Sequence, residues 1–120
     1  MLPARNRLKN NRTFNYIYRK GKSVGGAYSV LLYTEARGRL LIGFSVSKKI
    51  GGSVTRNLVK RRLREAVREI VPCLKDGYHV VVVARDGIVN AEFTKLKSAI
   101  KLQFERAGLI KEKSDEIPLH

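Results

Sequence analysis

Residues 54–71, set between Gly51-Gly52 and Pro72, read as one long amphipathic helix that the proline stops. At about 100° per residue, Val59, Leu63, Ala66, Val67 and Ile70 gather into a single apolar arc. That arc needs a complementary surface, and the β-branched segments around it supply a sheet. The rest of the helix is charged in an unusual way. Lys60, Arg64 and Arg68 repeat every fourth residue on one flank, with Arg61 and Asn57 beside them, while Glu65 and Glu69 lie further round, nearer Arg62. A solvated helix gains by alternating signs at i,i+4, and stacking like charges costs about 0.2–0.5 kcal/mol per pair. External phosphates would supply the missing counter-charge, and arginine's planar fork suits them. Lys48, Lys49 and Arg56 carry the same patch from a glycine-rich loop into the helix start, where free backbone N–H groups attract anions. Pairing of individual arginines with Asp76, Asp86 or the acids of the last helix is the structural alternative.

The asymmetry extends to the whole chain. Of 25 Lys+Arg, 17 fall within residues 1–70, against three acids there (Glu35, Glu65, Glu69). Residues 71–120 carry eight basic groups and seven acids. Solubility needs far less charge than a formal +15. A one-sided field of this kind points to a polyanion, and nucleic acid is the expected partner. With 43% hydrophobic residues the 120-residue chain is too apolar for a disordered polycation. The apolar run at 80–84 is far short of the ~20 residues that span a membrane. No apolar segment follows Met1-Leu2-Pro3-Ala4-Arg5, so no signal peptide is expected. The single cysteine, Cys73, cannot form an internal disulfide, which fits a reducing cytoplasm.

Along the chain, residues 12–20 read as a short helix with Phe14, Ile17 and Tyr18 on one face, capped by Thr13 or Asn11 and ended by Gly21. Residues 28–34 alternate as a strand, with Tyr28, Val30 and Leu32 on one side and Ser29, Leu31 and Tyr33 on the other. Residues 35–39, with Gly38, predict a hairpin into a strand at 40–47, where Ile42, Phe44 and Val46 oppose Gly43, Ser45 and Ser47. Residues 78–84 predict a buried strand and 86–90 a turn. Residues 91–106 predict a helix with Phe93, Leu96, Ile100 and Phe104 as its buried stripe. The expected architecture is α+β, one domain over residues 1–110, with a frayed tail from 111 to 120.

Aromatics sit among the cations. Phe14, Tyr16 and Tyr18 lie in the basic N-terminal segment, and Tyr33 shares a sheet face with Leu31. Such rings can stack unpaired bases at about 1–3 kcal/mol per base. For Phe14, a staple holding the helix to the core fits equally well; Tyr33 reads as a nucleotide contact. Catalytic patterns are missing. Arg19-Lys20-Gly21-Lys22-Ser23 lacks the leading glycine of a phosphate loop, since position 16 is Tyr. His79 and His120 have no partners at metal spacing, and His79 reads as structural. Cys73 reads as a small buried hydrophobe. No carboxylate pair suggests a two-metal nuclease.

The run Ser45-Val46-Ser47-Lys48-Lys49-Ile50-Gly51, followed by Ser53-Val54, Arg56-Asn57, Lys60-Arg61 and Arg64-Glu65, resembles the signature of the bacterial ribonuclease P protein subunit. Arg7-Leu8-Lys9, Phe14, Tyr18-Arg19-Lys20-Gly21, Leu31-Leu32-Tyr33-Thr34 and Val82-Val83-Ala84-Arg85 fit the same family in the right order, over roughly residues 5–108. Ser53 stands where the family usually has Ala, and Leu58 at a frequently basic position. The resemblance implies a two-layer sandwich of order α-β-β-β-α-β-α, related to a domain of ribosomal protein S5 (domain 2-like), with a left-handed βαβ crossover. General rules of chain topology favour the opposite hand. It implies the accessory subunit of a ribozyme that removes the 5′ leader of precursor tRNA, with no catalytic residue in this chain, magnesium held by the RNA subunit, and no metal on the protein alone. It implies contact with the catalytic RNA through Lys48, Lys49, Arg56, Asn57, Lys60, Arg61, Arg64 and Arg68. It implies a leader cleft between the first helix and the sheet, through Phe14, Tyr18, Leu31 and Tyr33. The partners would be the catalytic RNA and precursor tRNA, with no membrane and no small-molecule substrate. A ribosomal or other structural RNA-binding protein is the rival reading.

Overall fold

The β-branched run at 78–84 is apolar on both faces, and it becomes the spine of the sheet. The computed structural model describes residues 4–111. In chain order these form α1 (Asn11–Lys20), β1 (Lys22–Gly25), β2 (Ser29–Glu35), β3 (Leu41–Ser45), α2 (Ser53–Arg68), β4 (Tyr78–Ala84) and α3 (Phe93–Arg106). This is the expected order of elements. The tail expected at 111–120 lies outside the described residues from 112 onward.

The sheet runs β1-β2-β4-β3, with β1 and β2 antiparallel, β2 and β4 antiparallel, and β3 parallel to β4. The hairpin expected at 35–39 is therefore wrong: β4 lies between β2 and β3. A strand that must be covered on both faces goes to the centre of a sheet, and β4 displaces the shorter β3 to the edge. The 36–38 loop pairs instead with the loop ahead of β4. The Ala36 N–H donates to the Gly77 carbonyl at 2.9 Å, and the Gly77 N–H donates to the Gly38 carbonyl at 2.9 Å. Both glycines sit at φ +87°, where a side chain would be strained. Strand β1 escaped the sequence reading because only Val24 of its four residues is partly covered, too short a run to show alternation.

Alternation sorts the sheet's side chains to two faces. Leu31, Ile42, Val80 and Val82 meet Val59, Leu63, Ala66 and Val67 of α2 and Leu96, Ile100 and Phe104 of α3 in the main core. Of the predicted stripes, Val59, Leu63, Ala66, Val67, Leu96, Ile100 and Phe104 are buried, while Phe93 and Ile70, the latter just past the end of α2, are only partly covered. Val81, with Leu32, Leu41 and Val83 beside it, forms the opposite face, closed by Ile17 and Phe14 of α1 and by Leu8. Two layers thus describe α2 and α3 on the sheet, while α1 adds a partial third layer behind it. Gly43 makes that docking possible, because a Cβ there would collide with the Phe14 ring. Asn10 caps α1, its side-chain oxygen accepting from the Arg12 N–H at 2.8 Å, in place of the expected Thr13 or Asn11. Helix α2 ends at Arg68, short of 71, because Pro72 has no N–H to donate to the Arg68 carbonyl four residues back and its ring would clash with it; 71–73 form a separate tight turn holding Pro72. Cys73 in that turn is exposed, not buried as expected.

One buried polar side chain ties the edge hairpin to α3. Gln103 donates through Nε2 to the carbonyls of Val24 (3.0 Å) and Ser29 (2.9 Å), and its Oε1 accepts from the Ser29 hydroxyl (2.9 Å). Replacing Gln103 by Leu should destabilise the fold by about 1–3 kcal/mol in denaturant unfolding, by stranding the Ser29 hydroxyl and the Val24 carbonyl. A midpoint within error of wild type would refute this account. Gly43→Val should cost about 1–3 kcal/mol by forcing Phe14 off the sheet. The check is a lowered Tm together with a shifted Phe14 ring resonance in NMR spectra.

Candidate nucleic-acid interface

Helix α2 is held by its apolar arc, so its cationic flank faces outward by default. Lys48 and Lys49 project from a tight turn at Lys48–Ile50 and are exposed. Arg56 donates through Nε to the Gly51 carbonyl at 3.2 Å, which fixes its guanidinium at the helix start. No side chain caps that end and no acid occupies its first turn, so its leading N–H groups and their partial positive charge add to the cations. Asn57 and Arg61 are exposed, and Lys60 and Arg64 are half-buried. Asn57, Lys60, Arg61, Arg64 and Glu65 line a groove of about 350 Å³.

Counter-charge from within the chain is scarce. Among the described residues, none of Lys48, Lys49, Arg56, Lys60, Arg61 and Arg64 forms an ion pair. Arg68 is the exception: it reaches Glu65 at 3.3 Å, an exposed i,i+3 pair of little energetic weight. Glu69 is taken by Lys97 at 2.7 Å, and Asp76 accepts from the Leu40 N–H at 2.9 Å. Arg62, on the other flank, leans on the Ala91 carbonyl at 3.5 Å.

A second hollow, of about 220 Å³, lies where α2 meets the β3 edge. Lys60 and Arg64 line it from one side, Phe14 and Gly43 from the other, and Arg7 and Lys9 close it. Arg7 bridges Ile42 in parallel fashion, and the Leu8 N–H donates to the Ile42 carbonyl at 2.9 Å, so the N-terminal segment runs beside β3. Arg7 and Lys9 were not singled out as site residues in the sequence. The available signal was the cationic pair flanking an apolar Leu8, which is buried here.

Of the aromatic set, Phe14 and Tyr18 come together one turn apart on the same side of α1. Phe14 is half-buried against the sheet and serves as the staple; Tyr18 is 47% exposed. The other two do not join them. Leu31 is 1% exposed and belongs to the α2–α3 core, so no ligand can reach its side chain. Its parity along β2 directs it away from α1. Tyr33 shares that parity, packs edge-to-face on Tyr78 with ring centroids 6.3 Å apart, and borders a different hollow with Tyr16, Lys20 and Lys22. Tyr16, 50% exposed, is a further ring beside cations. His79 sits in a hollow with Arg12, Arg19 and Glu35, and burial pulls its pKa down, favouring the neutral imidazole. Among the described residues, no three His, Cys, Asp or Glu side chains gather as a metal site. No helix among them is long and apolar enough to cross a membrane.

Comparison with known proteins places the chain in a family. The family described as Ribonuclease P matches residues 2–108. The ribonuclease P protein component of Symbiobacterium thermophilum is 40% identical over 106 residues, covering 87% of this chain and 92% of that protein. The corresponding protein of Caldanaerobacter subterraneus is 41% identical over 108 residues, covering 89% and 93%. Among solved structures, the RNase P protein of Staphylococcus aureus superposes with a TM-score of 0.80 at 27% identity, covering 88% of this chain and 98% of that one. That of Thermotoga maritima gives 0.76 at 27% identity, covering 83% and 96%. With the family matched over nearly its whole length and the fold shared, this chain belongs to the ribonuclease P protein family.

Proposed function

We propose that this chain holds two RNA segments on one rigid module: the catalytic RNA of ribonuclease P along α2, and the single-stranded 5′ leader of precursor tRNA beside Phe14 and Tyr18. Family membership makes it the accessory protein subunit of the ribonuclease P holoenzyme, acting in maturation of the tRNA 5′ end. A structural RNA-binding protein with no part in cleavage does not fit that membership. The observation that carries the proposal is the position of Lys60 and Arg64, which line both the α2 groove and the hollow that Phe14 closes.

Phosphates of the catalytic RNA repel those of the substrate. Lys48, Lys49, Arg56, Lys60, Arg61 and Arg64 lower that repulsion where the two RNAs converge, with Asn57 adding a neutral hydrogen-bonding group. Arg68, already sharing charge with Glu65, contributes less. Magnesium ions held by the RNA supply the metal chemistry of cleavage; this chain's side chains bind and orient. Tyr18 stacks a leader base with little reading of its edge, so varied leaders are accepted. Tyr33, with Tyr16, Lys20 and Lys22, offers a separate stacking position for a longer single strand. Residues 1–110 act as one domain, in the cytoplasm with the tRNA precursors.

The direct test is reconstitution: this chain should restore cleavage of precursor tRNA to a ribonuclease P RNA at magnesium concentrations too low for the RNA alone. The pair Arg61→Glu and Arg64→Glu should weaken assembly with the RNA at least tenfold and flatten the log–log salt dependence by about 1–2 units, as two or so phosphate contacts are lost. An unchanged salt slope would count against the α2 face. Tyr18→Ala should cost about 1–3 kcal/mol of the preference for precursor over leaderless tRNA. Equal preference in variant and wild type, measured by equilibrium binding, would remove Tyr18 from the leader site.

A further inference from the structure

Beyond Arg68 the cationic surface does not stop. Arg5, Arg39, Arg68 and Lys111, from four separate stretches of chain, surround one cleft of about 580 Å³ at the C-terminal end of α2. Its floor is fixed by the Leu40 backbone, held on both sides: the N–H donates to Asp76 Oδ1 at 2.9 Å, and the carbonyl accepts from Nδ2 of the buried Asn6 at 2.8 Å. Among the described residues Asp76 is the one carboxylate lining the cleft, and that hydrogen bond engages it. Lys111 makes one long contact, from Nζ to the Pro72 carbonyl at 3.4 Å. Among the described residues, Arg5, Arg39 and Lys111 form no ion pair. Four cations around a concave wall repel one another, and low-dielectric walls concentrate their field into the space between them. All three arginines are exposed, and Arg5 and Arg39 form no ion pair among the described residues, so their forks are available to a bidentate acceptor.

We propose that this cleft is a phosphate-binding site, occupied by phosphodiester groups of the RNA that lies along α2, so that the RNA path rounds the helix end and continues past Arg68 toward Arg39 and Arg5. The inference rests on the reading of α2 as an RNA interface. The same chemistry would accept a free phosphate or pyrophosphate, and the experiment separates the two sources.

The full chain carrying Arg5→Gln and Arg39→Gln is compared with wild type and with a Lys60→Gln, Arg61→Gln control, each checked for folding by circular dichroism and thermal melting. Binding to ribonuclease P RNA is followed across a salt series, and inorganic pyrophosphate is titrated against the arginine side-chain NMR signals. The cleft pair is expected to bind RNA about tenfold more weakly, with a log–log salt slope shallower by about 1–2 units. Wild-type affinity and slope for the cleft pair, alongside a weakened α2 control, would overturn the cleft and leave the α2 reading standing. Wild-type behaviour in both would overturn the α2 reading and this inference with it. Pyrophosphate shifting Arg39 while RNA affinity stays at wild type would make the cleft a free-anion site and overturn the RNA path. Weakened RNA binding supports the proposal whether or not pyrophosphate alone is held.

Discussion

Everything in this molecule turns on the way α2 is pinned. Val59, Leu63, Ala66 and Val67 are buried against the sheet, and each large apolar side chain so placed contributes about 1.5–3 kcal/mol. That burial sets the rotation of the helix and leaves Lys60, Arg61 and Arg64 no orientation but outward. The like-charge stacking along the flank costs only tenths of a kcal/mol per pair. The core can therefore hold a cationic stripe without its own counter-ions, and the stripe stays ready for anions from elsewhere. The acids nearby do not neutralise the stripe's cations by ion pairing. Glu69, just past the helix end, pairs with Lys97 of α3, while Glu65, which lines the groove, pairs with Arg68 one turn from the helix end.

Much of this was readable in advance, for a physical reason. Periodic burial leaves its mark on the sequence, so the arc of α2, the stripe of α3 and the bounds of β4 could be read directly. The cationic face could be read for the complementary reason: what is excluded from the arc must lie opposite it. What could not be read is what periodicity does not encode. A run of Gly38 between two strands reads the same whether they pair or a third strand separates them, and here β4 separates them. Alternation along β2 told that Leu31 and Tyr33 share a face, but not which helix covers that face. The resemblance grouped them with Phe14 and Tyr18, and the structure places α2 and α3 over Leu31 and α1 over Leu32. The burial expected of Cys73 came from residue type alone, and the tight turn Val71–Cys73 that holds Pro72 leaves it exposed.

The division of the sheet into two covered faces has a consequence for binding. The stripe of α2 belongs to one face and Phe14 to the other, so any ligand touching both must pass over an edge. That edge is β3, and it is built for the passage. Gly43 and Ser45 present little bulk on the α1 side, and the Phe14 ring lies over the vacancy that Gly43 leaves. An exposed edge strand invites pairing with another chain. Here the segment through Arg7 and Leu8 covers part of it, with Leu8 buried and hydrogen-bonded to Ile42. The cover brings Arg7 and Lys9 to the place where Lys60 and Arg64 arrive from α2.

Protecting the edge and charging it are thus one arrangement. A neutral segment laid on β3 would prevent sheet extension equally well, but it would interrupt the field between α2 and Phe14. An all-cationic segment without Leu8 would keep the field and lose its anchor, because nothing apolar would hold it beside Ile17 and Val81. The alternation Arg7-Leu8-Lys9 meets both demands within three residues, since a strand-like segment turns successive side chains to opposite sides. This is also why the positive surface is continuous although the elements that carry it lie on opposite faces of the sheet: the connection is made by the backbone beside β3, and the charges follow from which way that backbone must present its one apolar side chain.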